Sequence, residues 1–183
     1  MPVSPEKHAV GLGCADYEIA VYIANRPPLY QYQQLDQLNG VCSGEITAIG
    51  QQCGNGWRKV FNVYAKLLYA LDIESFSFSQ CAPTWQKYRD CFLLQTASKT
   101  ALVFNAPYLD NKRRQANQVI HIIIGRTYAK SLINSAQLPC ELTWLDPEFA
   151  INIEHRVIVC PYFDYRQLSN TKIERLAAMM KNI

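Results

Sequence analysis

The densest run of groups able to do chemistry is PYFDYRQLSN at 161–170. Within it Tyr162, Asp164, Tyr165, Arg166, Gln167, Ser169 and Asn170 offer phenols, amides, a hydroxyl, a guanidinium and one carboxylate. Such a set suits hydrogen bonding and stacking on a planar polar ligand, and Asp164 is its one group able to steer a water. Two further amides, Asn25 and Asn105, each follow an apolar run and stand just before prolines, in ANRPP and FNAP. A side-chain amide presents donor and acceptor side by side, so Asn105 either reads the edge of a nucleobase in two parallel bonds or shapes the turn before Pro107. Arg126, after Gly125, and the basic cluster Lys112, Arg113 and Arg114 are candidates for phosphate, although a run like the latter equally makes a solvated face. His121 lies inside an apolar run and reads as a hydrogen-bonded core histidine. No Walker loop, dinucleotide-binding glycine fingerprint or nucleophile elbow occurs.

Positioning these groups requires buried elements, and the apolar runs supply them. Residues 18–24 (EIAVYIA), 99–104 (KTALVF), 119–124 (VIHIII) and 157–160 (VIVC) are short and continuously apolar, as strands buried on both faces are. Between them, Trp57, Val60, Phe61, Tyr64, Leu68 and Leu71 recur at helical spacing after a turn predicted at Cys53-Gly54-Asn55-Gly56. Further helices are predicted in parts of 35–49, over 85–94 and 126–132, and from Thr171, which with Glu174 forms a capping-box pattern. The segment 135–152, with Pro139 and Pro147, reads as irregular. Strands alternating with helices predict an α/β fold, a three-layer sandwich around a central, mostly parallel four-stranded sheet. In such sheets ligands bind beyond the carboxyl ends of the strands, which gathers Asn25, Asn105, Gly125-Arg126 and the 161–170 loop at one edge.

The chain has 183 residues, enough for one well-buried core, so residues 1–16 are expected to be loosely ordered and 17–183 to form a single domain. Its formal charge of +3 permits an anionic partner without demanding one. The seven cysteines, Cys14, Cys42, Cys53, Cys81, Cys91, Cys140 and Cys160, are scattered without a C-x-x-C pair. That argues against a disulfide framework, a zinc or iron–sulfur site, and any metal or cofactor, and it suits reduced thiols in the cytoplasm. No secretory signal or membrane-length apolar run is read, so no membrane partner is expected.

In the order of its elements the chain resembles the uracil-DNA glycosylase-like superfamily from Glu18 onward. YIANRPPL stands where that superfamily ends its first strand in a water-positioning motif, with Asn25 as the counterpart. WRKVFNVYAKL is similar to its first conserved helix, TALVFNAP to the strand that ends in the uracil-reading asparagine, here Asn105, and HIIIGRTYAKSL to the strand that follows. VCPYFDYRQLSN lies at the last motif, where Pro161 and Tyr162 replace the histidine or asparagine that stabilises the departing base. CGNGWRKVF and PYFDYRQLSN also resemble blocks of an uncharacterised bacterial family, which would bring Asn55, Trp57 and Arg58 to the same pocket.

The resemblance implies a domain that binds a nucleobase, nucleotide or single-stranded nucleic acid with degenerate excision motifs. If it is active, it implies a hydrolase of an N-glycosidic bond. Asn25 and Asp164 would then handle water, Asn105 the base edge, Tyr162 or Tyr165 stacking, with Ser169 beside them, and Arg166 and Arg126 phosphate. The same residues leave open a non-enzymatic protein-interaction module, or a small-molecule enzyme acting on a nucleoside or nucleotide.

Overall fold

The four apolar runs lie side by side as parallel strands in the middle of one sheet. The computed structural model describes residues 8–109 and 119–183. Along the chain these form β1 (Gly11–Gly13), β2 (Ile19–Tyr22), α1 (Tyr30–Gln33), β3 (Leu38–Asn39), α2 (Glu45–Cys53), α3 (Asn55–Tyr69) and α4 (Trp85–Cys91). Then come β4 (Thr100–Val103), β5 (Ile120–Ile124), α5 (Arg126–Asn134), β6 (Thr143–Trp144), β7 (Ala150–Asn152), β8 (Val157–Cys160) and α6 (Asn170–Asn182). Sheet order is β3-β1-β4-β2-β5-β8-β7-β6. The central β4-β2-β5-β8 pairings are all parallel, with Ala20 opposite Ala101 and His121, and Ile123 opposite Val159. β1 runs antiparallel to β4, and β7 antiparallel to β8, so the sheet is mixed.

Strand alternation builds the layers. Ile19, Val21, Ile23, Leu102, Ile122 and Ile158 face a core shared with α2, α3, α4 and α6, whereas Ala20, Tyr22, Ala101, Val103, Ile123 and Val159 face α5. Helix α3 is the centre of the thicker layer, packing against α2, α4 and α6. Its buried stripe includes Trp57, Val60, Phe61, Tyr64, Leu67 and Leu68, and the Tyr64 hydroxyl donates to the Ala101 carbonyl at 2.9 Å, pinning the helix over β4.

The sequence-based expectation of four strands falls short of the eight-stranded sheet, because the added strands carry little apolar signal. β1 is Gly-Leu-Gly inside a segment expected to be loosely ordered, yet all three of its residues are buried. Its glycines are there for close approach: a Cβ on Gly13, whose φ is +124°, would strike the Thr100 carbonyl and lie 2.7 Å from the Ala101 Cα. The hairpin β6–β7 sits within the stretch read as irregular, its strands being two and three residues long. The Cys53–Gly56 turn reduces to Gly54 alone, at φ +90°, with Asn55 and Gly56 already helical. The capping box does not form either. Helix α6 starts two residues early, Ser169 holds the cap position without a side-chain bond, and Thr171 lies inside the helix.

Candidate functional site at the carboxyl edge of the sheet

β2 connects outward on one side to β4, and the chain then returns to the other side of β2 as β5. That reversal opens a crevice beyond the strand ends, the place where open α/β sheets hold ligands. A cleft of about 630 Å³ occupies it, lined by Ala24 after β2, by Gly125, Arg126 and Thr127 after β5, and by Pro161, Tyr162 and Gln167 after β8. Its size is that of a small-molecule site.

Local chain geometry makes the walls. Gly125, at φ +99°, turns β5 directly into α5, and its N–H donates to the Cys160 carbonyl at 2.8 Å, so the β5 and β8 loops are joined at the base. The 161–168 loop is a tight turn stitched by Asp164. Its N–H donates to the Tyr162 carbonyl at 2.7 Å, its own carbonyl accepts from the Gln167 and Leu168 amides at 2.8 Å, and its Oδ1 accepts from the Arg166 amide at 2.9 Å. Phe163 and Leu168, both fully buried, anchor this loop, and the Phe163 ring lies 5.7 Å from that of Tyr64 on α3. Tyr162 is thereby held between the core and the cleft.

Asn25 and Tyr162 come together, the amide side chain lying beside the phenol. Burial pushes the Tyr162 phenol above its ordinary pKa, the Asn25 amide works against that rise, and the nearby Asp164 charge adds to it. Asp164 moves the other way. The Arg166 amide and the Lys59 ammonium, 2.9 Å from Oδ2, hold its carboxyl below the usual carboxylate range. An anion so held is a weak base but a fixed acceptor. Lys59 also lies 4.9 Å from the centre of the Tyr165 ring, and the Arg166 guanidinium 5.9 Å from it, so this half-exposed ring is flanked by two cations. Arg126 lines the cleft and donates to the Pro147 carbonyl at 3.3 Å, while Glu148, also lining it, pairs with Lys172 at 2.7 Å.

Other expected residues lie elsewhere. Both ends of the Asn105 amide are engaged by main chain: Oδ1 accepts from the Val10 N–H at 2.8 Å and Nδ2 donates to the His8 carbonyl at 2.9 Å. The side chain thus braces the segment leading into β1. Trp57 is buried against Phe61 and Phe104, with ring centres 6.0 and 6.4 Å away, and is a core residue. Asn55 and Arg58 line a different cavity, between α2, α3 and α4. Ser169 is exposed at the start of α6 and does not line the cleft. Arg26 is spent on structure, one nitrogen donating to the Tyr32, Gln33 and Leu35 carbonyls at 3.0–3.1 Å. Lys112, Arg113 and Arg114 lie outside the described residues.

Gln167 lines the cleft as the 161–170 run suggested, whereas Thr127, Glu148 and Lys59 join the site without having been read from the sequence. Gly125 was their one local signal, as a glycine ending an apolar run and opening a helix. Lys59 could be found only through its distant partner Asp164. Among the described residues, no group of three or more histidine, cysteine or acidic side chains could hold a metal ion, and no helix is long and apolar enough to cross a membrane.

The profile of a family of unknown function, DUF6942, matches residues 10–181, and the chain belongs to that family. No curated protein and no solved structure matches it.

Proposed function

We propose that the protein binds a nucleotide, or a nucleobase carried on single-stranded nucleic acid, in the cleft beyond β2, β5 and β8, on a divergent uracil-DNA glycosylase-like scaffold. The observation that carries this reading is the meeting of Tyr162 and Arg126 in one crevice at the reversal of strand order, with Asn25 beside Tyr162. Tyr162 supplies a face for stacking, Asn25 an amide at its rim, and Arg126 with the adjacent start of α5 a positive region for phosphate. Tyr165, flanked by Lys59 and Arg166, offers a second face for a neighbouring base. This reading moves base recognition from Asn105 to the Asn25–Tyr162 pair.

The same geometry disfavours standard base excision. The last motif carries Pro161 and Tyr162 instead of the histidine or asparagine that would serve the departing base, and Asp164 is tied to Lys59. The fitting experiment is a thermal-shift and calorimetric titration with uridine and adenosine monophosphates and with short single-stranded oligonucleotides. A ligand of the native state raises the melting temperature, and Tyr162→Ala is expected to abolish that rise. Oligonucleotide affinity is expected to fall with added salt. If no nucleotide or oligonucleotide shifts the parent protein, the reading fails.

A further inference from the structure

A second cavity, of about 460 Å³, lies between α2, α3 and α4. Ile46 gives it an apolar side, and Gln51, Asn55, Arg58 and Arg89 give it polar groups, with no carboxylate among the lining residues. Arg89 is already satisfied. Its Nη1 donates to the Asn62 Oδ1 at 2.6 Å, and its other nitrogens donate to the Asp90 carboxylate at 2.8 and 3.2 Å. Arg58 differs. Lys59, Arg89, Lys99, Lys172, Arg175 and Lys181 each reach a carboxylate, whereas the Arg58 guanidinium makes no hydrogen bond or ion pair among the described residues. Its side chain is exposed, and its Cα and Cβ lie close against α2. A Cβ on Gly50 would sit 3.4 Å from the Arg58 Cβ and 3.6 Å from its Cα, so α2 and α3 approach closely over it. The uncapped start of α3 at Asn55 opens into the same space and adds the positive end of that helix to the field.

We infer that this cavity is a second binding site, for a small organic anion whose phosphate or carboxylate head meets the Arg58 guanidinium and whose apolar body lies on the Ile46 side. A guanidinium forms paired, charge-assisted bonds with either head, and the cavity is large enough for a compact molecule. The site stands on residues separate from those of the carboxyl-edge cleft, so either can fail without the other.

The test is calorimetric titration of the full chain with phenyl phosphate and with benzoate, using benzyl alcohol as the neutral control. One or both anions are expected to bind and the alcohol is not, and the tighter anion identifies the head group. Arg58→Gln is expected to weaken binding about tenfold or more. Asn55→Asp, which favours the start of α3 while adding a negative charge to the cavity, is expected to weaken it as well. Tyr162→Ala is expected to leave it unchanged. Absence of binding by both anions, equal binding of the alcohol, or undiminished binding by Arg58→Gln and Asn55→Asp overturns the inference.

Discussion

Replacing Asn105 with Ala removes two bonds at once, the acceptor of the Val10 N–H and the donor to the His8 carbonyl. Each such bond contributes about 0.5–1.5 kcal/mol net, so the loss comes to roughly 1–3 kcal/mol. For a chain of this length about 1 kcal/mol moves the melting temperature by about 3 °C, which gives an expected fall of roughly 3–9 °C by calorimetry or circular dichroism. Asn105→Asp separates the two halves. It keeps an acceptor for Val10 but loses the donor to His8 and sets a carboxylate beside a carbonyl, so it also destabilises, while Val10 stays paired. Amide hydrogen exchange is expected to show Val10 exposed in the Ala variant and protected in the Asp variant. Nucleotide binding in the cleft is expected to survive both changes. A melting temperature unmoved by Asn105→Ala, together with lost nucleotide affinity, would refute the bracing role and return Asn105 to base recognition.

Two further outcomes follow from the fold. Gly13→Ala drives a Cβ into the Thr100 carbonyl at a positive φ, and backbone cannot retreat as a side chain can. Its cost is expected to exceed about 3 kcal/mol, seen as a large fall in the urea midpoint or as insoluble protein, and an unchanged midpoint would contradict the β1–β4 approach. Asp164 has a depressed folded pKa, so the stability it adds is present above its unfolded value of about 3.9 and is lost as pH falls through the folded one. Asp164→Asn is therefore expected to be destabilising at pH 7 and to converge on the parent at low pH. Urea midpoints that stay equally far apart from about pH 7 down to pH 2 would show that the ion pair with Lys59 is not the cause.

The central architecture was legible because burial on both faces leaves a direct trace. VIVC and VIHIII can hardly be anything but interior strands, and the start of α3 was blurred only by the glycines at 54 and 56. The flanking strands left no such trace. β1 contributes one apolar residue, and its glycines, a breaking signal in isolation, are the condition for its approach to β4. The edge that holds the site could be placed, since strand ends and loop composition are local properties. Its membership could not, because an amide's partner is a tertiary fact. Asn25 and Asn105 look alike in sequence, each beyond an apolar run and before proline. One lies beside Tyr162 at the carboxyl edge of the sheet, and the other bonds to backbone near the N-terminus. Trp57 and Arg58, neighbours in one motif, point to opposite fates because helical geometry turns successive residues by about 100°.

The position of β2 in the middle of the sheet bears on how the chain comes to fold. Both of its sheet partners, β4 and β5, follow it by most of the helical layer, and the Asn105 brace joins residues 95 and 97 positions apart. During synthesis an apolar strand with two open edges therefore waits roughly 5–15 s before its first sheet partner has been made. Helices α2, α3 and α4 emerge in that interval and find partners in one another. The thicker helical layer is thus the first surface available to cover β2, and the parallel centre of the sheet is the last thing to close.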